Sequence, residues 1–151
     1  ILDIISDVRE LPAGKNVEIK TCIPDEDLKV DAVYGDLRRA IFNLVENGVK
    51  YVSSSRGTDG KLEVSVKSEG ERMLILVEDN GPGVNEEERE LIFERFRRGN
   101  THRARNRSSA GGYGLGLSIS RKIAEREGGS LELSEPRLGG ASFTLTLPKR
   151  H

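Results

Sequence analysis

Five segments of the chain have the hydrophobic pattern of β-strands. Four alternate apolar and polar side chains, with the period of two that turns one strand face toward a core, and the other is an apolar run typical of a buried strand. They are residues 17–23, 61–68, 73–78, 130–134 and 141–147. Turn residues around Gly70 and at Gly139-Gly140 join two pairs of these segments, which predicts two antiparallel hairpins. Residues 28–34 are predicted as a further short strand.

Three other segments have the period of an α-helix. Residues 2–8 predict a short first helix. A longer apolar pattern starts at Leu37, and Asp36 just before it is predicted as the N-cap. The third pattern runs from Leu117, after a glycine-rich turn, and is predicted to end at Gly128-Gly129. The period of these segments therefore predicts three helices.

A further helix is predicted after Asn85. Three glutamates follow this cap, where they complement the helix dipole, and the apolar residues 91–93 with Phe96 supply a buried face. Residues 97–111 then lack any hydrophobic period and contain five arginines. Such a tract can bind nucleic acid, but here it has no aromatic interleaving. A mobile lid that closes over phosphates is the preferred interpretation.

Composition narrows the possible functions. The 151 residues suffice for one domain, and 24 basic against 25 acidic side chains leave a net charge of −1. Bulk attraction to nucleic acid or anionic lipid is therefore not indicated. A single cysteine, Cys22, and two histidines provide neither a disulfide nor a zinc cluster. The chain opens at Ile1 without methionine, which leads us to expect a piece of a longer protein.

The most informative turn follows the apolar strand. Asp79 ends that strand and Gly81-Pro82-Gly83 comes directly after it. A carboxylate fixed at the end of a buried strand can accept a hydrogen bond from an amino group, while glycines let a planar ring lie against bare backbone. This arrangement suits adenine. An ordinary turn with aspartate at its first corner remains the alternative.

Two further patterns point to phosphates. Asn43 and Asn47 are one turn apart on the long predicted helix, among apolar neighbours, although asparagine is a poor helix former. They either form part of a site or face water. The glycine-rich residues 111–116 lead into the third helix, and backbone N–H groups at a helix N-terminus favour phosphate. No Walker lysine or preceding Rossmann strand accompanies these glycines.

Four segments stand in a characteristic order: residues 43–51, 79–83, 93–96 and 112–117. They resemble the N, G1, F and G2 boxes of the catalytic ATP-binding domain of sensor histidine kinases. The superfamily includes gyrase, the mismatch-repair ATPases and a heat-shock chaperone. The resemblance implies an α+β fold, a two-layer α/β sandwich with a mixed sheet of about five strands and three main helices on one face. Residues 1–151 would then be a single catalytic ATP-binding domain from a longer sensor kinase.

The resemblance also implies ATP and Mg²⁺ as ligands and assigns residues to each. Asp79 would bind the adenine amino group, with Gly81 and Gly83 shaping its pocket and Tyr51 beside the base. Asn47 would hold Mg²⁺, which prefers hard oxygen ligands.

The phosphates would be met by a second set of residues. The resemblance places Asn43 and Lys50 near them, Arg98 at the γ-phosphate, and the backbone of the G2 segment around them. The members of that segment are Gly112, Tyr113, Gly114, Leu115, Gly116 and Leu117. Tyr113 departs from the family pattern, in which a smaller residue is common, and the arginine-rich lid is longer than usual.

The implied activity is phosphoryl transfer from ATP to a histidine on a separate dimerisation domain of the same sensor, with a response regulator downstream. The domain would be cytoplasmic, monomeric, without direct membrane contact and inactive alone. Related ATPases place a water-activating glutamate one turn before the magnesium asparagine, where this chain has Asn43, and Glu46 lies about a quarter turn away from that face. Two alternatives stay open: a stand-alone serine kinase of the same superfamily, and a non-catalytic nucleotide-binding interaction module.

Overall fold

In the described part of the chain, one mixed sheet is covered on one face by three α-helices. A computed structural model describes residues 2–10, 17–26, 28–56, 59–84, 87, 91–93, 112–134 and 138–149. The helices are α1 (Leu2–Arg9), α2 (Tyr34–Arg56) and α3 (Gly112–Arg126). The strands are β1 (Val17–Cys22), β2 (Gly60–Glu69), β3 (Arg72–Asp79), β4 (Ser130–Ser134) and β5 (Ser142–Pro148).

The strands lie in the order β1-β2-β3-β5-β4. β1 pairs with β2 in parallel, and the other neighbours are antiparallel. A parallel pair needs a crossover connection, which α2 provides between β1 and β2. β3 occupies the centre of the sheet. Its last residue, Asp79, pairs with Leu62 of β2, so pairing with the neighbouring strand fixes the end of β3.

The core lies between one sheet face and the three helices. Alternate residues of β2, β3 and β5 point into it, as the period of two predicted. Apolar stripes of α1, α2 and α3 cover this face, with Val8, Leu44 and Leu117 each at most 1% exposed. Two ion pairs at the surface join the helices, from Arg38 to Asp7 and from Arg126 to Asp36. The predicted two-layer sandwich is therefore confirmed.

Both predicted hairpins and the first helix are confirmed. Gly70 has a φ of 60° in the β2–β3 turn, a left-handed conformation that favours glycine. Gly128 has a φ of 86° two residues after the last residue of α3 and lies in the turn that ends that helix, as predicted. Cys22 is the exposed last residue of β1. None of the described helices is long and apolar enough to cross a membrane.

Two boundaries before α2 were predicted wrongly. Residues 28–34 do not form a strand, because within them only Val30 makes a bridge, to Lys149, and Tyr34 already begins α2. Asp36 is not the N-cap, since the Leu37 N–H donates to the Val33 carbonyl at 2.9 Å, one turn earlier. Asp36 lies in the first turn instead, where its charge faces the positive end of the helix dipole.

The G2 glycines also differ from the prediction. Helix α3 begins at Gly112, so the segment expected as a turn before the helix forms its first turns. The predicted α-helix after Asn85 is described only at Glu87 and at Leu91–Phe93, and the latter is a 3-10 turn. Its cap, Phe96 and the predicted lid, residues 97–111, lie outside the described residues.

Candidate functional site

The carboxylate of Asp79 is fixed by two backbone groups. Its Oδ1 accepts hydrogen bonds from the Gly81 N–H at 2.9 Å and the Ala141 N–H at 3.1 Å. The backbone is held as well, because the Asp79 N–H donates to the Ala141 carbonyl and the Gly140 N–H donates to the Asp79 carbonyl. No hydrogen bond joins Oδ2 to another residue within the described ranges. Oδ1 therefore orients the carboxylate, and Oδ2 remains to accept a hydrogen bond from a ligand.

Burial sets the electrostatics of this carboxylate. Asp79 is 5% exposed, and removal from water raises the pKa of its carboxyl above the ordinary value. The N–H groups of Ala141 and Gly81 act in the opposite direction and lower that pKa in part. The result is a desolvated acceptor in a rigid position. Such an acceptor gains more from a hydrogen-bond donor than it would in water.

The loop before β5 closes against the Asp79 turn through Gly140. A Cβ at Gly140 would lie 2.2 Å from Asp79 Oδ1 and 2.5 Å from the Gly81 nitrogen, so only glycine fits. Gly83 has a φ of 77° and faces the Gly140 carbonyl. Gly81 is buried, as its predicted place beside the carboxylate requires.

Asn80 fastens the same turn to the neighbouring strand. Its Oδ1 accepts a hydrogen bond from the Lys61 N–H at 2.9 Å, and its Nδ2 donates to the Asp59 carbonyl at 3.1 Å. Sequence reasoning assigned no role to Asn80 or to Gly140-Ala141. The pair Gly139-Gly140 was a usable signal, but it was interpreted only as a hairpin turn.

Helix α2 lies over the end of β3. A Cβ on Gly48 would come within 2.8 Å of Leu62 Cδ1, and Leu62 is the register partner of Asp79. Gly48 therefore brings the helix close to the sheet at this point. Its neighbour Asn47 is 4% exposed, and the structure shows no hydrogen bond from the Asn47 side chain to any other residue it describes. A buried amide without such a partner is the kind of group that a ligand satisfies.

Asn43 and Lys50 lie one turn to either side of this position along α2. Asn43 is half-buried against α3, where a Cβ on Gly116 would lie 3.7 Å from the Asn43 Cβ. Lys50 is half-buried and its Nζ lies 3.8 Å from an oxygen of Glu46. The predicted helical face of asparagines is thus next to the G2 segment.

Helix α3 is anchored on α2 by buried contacts. The Ser120 hydroxyl, fully buried, donates to the Ala40 carbonyl at 3.0 Å. Leu117 is fully buried in the shared core. These contacts set the first turns of α3 beside Asn43. Gly112, Tyr113, Gly114 and Leu115 have helical backbone there.

The F segment begins at Phe93, which joins two elements of the site. Its ring packs edge-on against Phe143 of β5, with centroids 6.1 Å apart. The Arg121 guanidinium of α3 lies 4.5 Å from the centre of the Phe93 ring, within cation–π range. Sequence reasoning missed Arg121 because its partner is nearly thirty residues away in the chain.

The remaining predicted site residues are described only in part. Tyr51 lies within α2, near its C-terminal end. Arg98 is among the residues 94–111 that fall outside the described ranges, and its predicted role stays a prediction. In the portions of the chain that are described, no three His, Cys, Asp or Glu side chains come together as a metal site.

The two-layer sandwich and the buried Asp79 turn fit a nucleotide-binding domain, and sequence comparison gives the family. Residues 32–151 match the family described as Histidine kinase-, DNA gyrase B-, and HSP90-like ATPase. The chain belongs to this family.

Comparison with individual proteins shows similarity to sensor histidine kinases. The sensor protein RstB of Escherichia coli K12 is 35% identical over 147 residues, which are 97% of this chain and 31% of RstB. The catalytic domain of histidine kinase ThkA is 29% identical with a TM-score of 0.75, over 99% of this chain and 92% of that one. ThkA in complex with the response regulator TrrA is 26% identical with a TM-score of 0.71, over 99% and 40%. The chain thus spans about a third of its curated relative.

Proposed function

We propose that this chain binds Mg-ATP and donates the γ-phosphoryl group to a histidine on a separate dimerisation domain of its own parent protein, in two-component signalling. Residues 1–151 would be the single catalytic domain of a longer, membrane-bound sensor kinase, on the cytoplasmic side. The likeness to RstB and ThkA supports this assignment. A response regulator is the proposed downstream partner, by analogy with the ThkA–TrrA complex.

The observation that carries the proposal is the buried Asp79 carboxylate. Two N–H donors satisfy Oδ1, and the second oxygen has no partner among the described residues. The adenine amino group is a donor that matches Oδ2, while the Gly81 and Gly83 backbone borders the position of the ring. Tyr51 would pack beside the base. This pairing would select adenine over guanine, because guanine presents a carbonyl oxygen at the same ring position.

The other end of the nucleotide would meet α2 and α3. Asn47 fits magnesium because it offers a buried amide oxygen without a described partner, and Mg²⁺ takes a few protein oxygens together with phosphate and water. Bound Mg-ATP would supply the phosphoryl group, and its Mg²⁺ would neutralise negative charge on the phosphate oxygens. Lys50, Asn43 and Arg98 would orient the phosphates. The backbone of Gly112 to Leu117 would lie beside them.

Transfer is favoured over hydrolysis by the side chains on α2. Asn43 occupies the position where related ATPases carry a glutamate, and an amide cannot take a proton from water. Glu46, the nearest acid on the helix, lies 3.8 Å from Lys50. Phosphoryl transfer needs mainly positioning and charge neutralisation, so these residues suffice once a nucleophile arrives in line.

A phosphotransfer assay tests the proposal. The chain is incubated with Mg²⁺ and γ-labelled ATP, alone and with the dimerisation domain of its parent protein, and Asp79→Asn serves as the binding-deficient control. We expect acid-labile, alkali-stable label on the added domain only. Acid-stable label on a partner would support the serine kinase. Rapid phosphate release by the chain alone would support an ATPase, and binding without transfer would support the interaction module.

A further inference from the structure

A cavity of about 770 Å³ lies at the end of the sandwich away from Asp79. Its walls come from α1, α2, β2, β3 and the segment after β1. On β3 it is lined by Met73 and Ile75, and the nearer of these, Ile75, precedes Asp79 by four residues, which corresponds to about 13 Å along an extended strand. The cavity is therefore separate from the nucleotide site, and the identity of its ligand does not depend on the proposed function.

The inside of this cavity is apolar. Its deepest walls are the side chains of Ile4, Ile41, Met73 and Ile75, none more than 7% exposed. A volume of this size holds a drug-sized molecule and greatly exceeds one inserted side chain. A flexible hydrocarbon tail would bury its surface here, which is the dominant favourable contribution to such binding.

The mouth has a different character. Asp25 and Glu26 are exposed and line the cavity, as does Tyr34, which is 74% exposed. The one basic side chain in the lining, Arg38, is paired with Asp7. Its charge is thereby offset. The rim thus offers two carboxylates and an aromatic face, a combination that attracts organic ammonium groups.

We propose that this cavity binds an amphiphilic cation, with the apolar tail between α1, α2 and β3 and the ammonium group at Asp25, Glu26 and Tyr34. A small molecule is proposed rather than a protein partner because the cavity is a recess whose inner walls are nearly fully buried apolar side chains, while Ile23 at the rim is 40% exposed. The walls that α2 contributes belong to its first half, and the same helix carries Asn43 and Asn47 further along.

The chain contains one methionine, and Met73 lines the cavity, so a methyl-labelled methionine gives a single magnetic resonance signal that reports on this site. The probes are decyltrimethylammonium, 1-decanol and decanoate below micelle formation, which share a tail and differ in head charge. We expect a saturable shift, with the ammonium probe binding about tenfold more tightly than decanoate, as attraction by two exposed acids allows. Asp25→Asn with Glu26→Gln should reduce that preference to within threefold.

A matched double variant, Glu18→Gln with Glu132→Gln, makes the same charge change at exposed strand positions and should keep the preference. Lack of a Met73 shift with all three probes would overturn the site. Equal affinity for the three would overturn the assignment to cations. Loss of the Met73 shift on adding Mg-ATP would place the probe at the nucleotide site and would also overturn the proposal.

Discussion

Replacing Asp79 with asparagine tests the adenine assignment most directly, because it changes a charged acceptor at nearly constant shape. Two N–H groups point at Oδ1, from Gly81 and Ala141, so the amide oxygen of the variant should take that place. Its NH₂ group would then occupy the position of Oδ2 and face the adenine amino group. Two donors would meet where an acceptor is required.

The expected loss can be estimated from this geometry. A hydrogen bond to a charged group contributes about 1.5–3 kcal/mol, so Asp79→Asn should raise the Kd for ATP about 10- to 150-fold. Isothermal titration calorimetry measures it. Glu132→Gln, with the same charge change at an exposed position on β4, should leave the Kd within twofold. Equal ATP affinity in parent and Asp79→Asn, with both folded, would refute the adenine assignment.

The same variant has a consequence for stability. Burial raises the pKa of the Asp79 carboxyl, so the folded state binds its proton more tightly than the unfolded state does. The contribution of Asp79 to the free energy of unfolding is therefore fully present below its ordinary pKa and is lost as pH rises through the raised value. The Asp79→Asn variant has no carboxyl at this position, so its free energy of unfolding does not fall with pH in this way. The melting temperature of the variant relative to that of the parent should therefore rise as the pH increases above the ordinary pKa of an aspartate, about 4, as calorimetric scans at a series of pH values would show.

Three further changes test the rest of the site. Asn47→Ala should weaken ATP binding about tenfold with Mg²⁺ and under twofold in EDTA, by the same calorimetry; equal losses would argue against a magnesium role. Gly140→Ala should destabilise the fold by about 1–3 kcal/mol in urea, because its Cβ meets Asp79 at 2.2 Å, whereas Gly35→Ala, with open space, should stabilise α2 by up to about 1 kcal/mol. Asn43→Glu should raise phosphate release from ATP about a hundredfold by adding a base. An unchanged rate would show that this position does not decide between transfer and hydrolysis.

Much of the sheet could be predicted because one of its faces is buried and the other is solvated. That asymmetry gives β2 and β5 a visible period of two, and glycine at the Gly70 turn marks a hairpin. The start of α2 could not be found in this way. Tyr34 is exposed, so its inclusion in the helix follows from the backbone hydrogen bond that the Leu37 N–H donates to the Val33 carbonyl rather than from an apolar pattern.

Some residues of the candidate site could likewise be predicted from the sequence, and others could not. Asp79 was predictable because it ends a buried strand, and a charged group there needs a reason. Gly140 was not, because its role depends on a contact with a turn about sixty residues earlier in the chain. The G2 glycines were assigned to a turn because glycine normally weakens helices. Gly116 instead lies within α3 against Asn43 of α2, where a Cβ would make an ordinary contact at 3.7 Å.

The two asparagines on α2 differ in ways that fit two different tasks. The Asn47 side chain is buried and has no hydrogen-bond partner in the described ranges, which fits a residue whose amide oxygen binds a metal ion. Asn43 is half-buried and lies against Gly116 of α3. It therefore joins α2 to the G2 segment, which follows the predicted lid in the chain. A glutamate at 43 would bring a charge to that contact, whereas an amide can bind phosphate oxygen and water without activating either. Under the proposed function, this arrangement would keep ATP intact until the dimerisation domain presents its histidine.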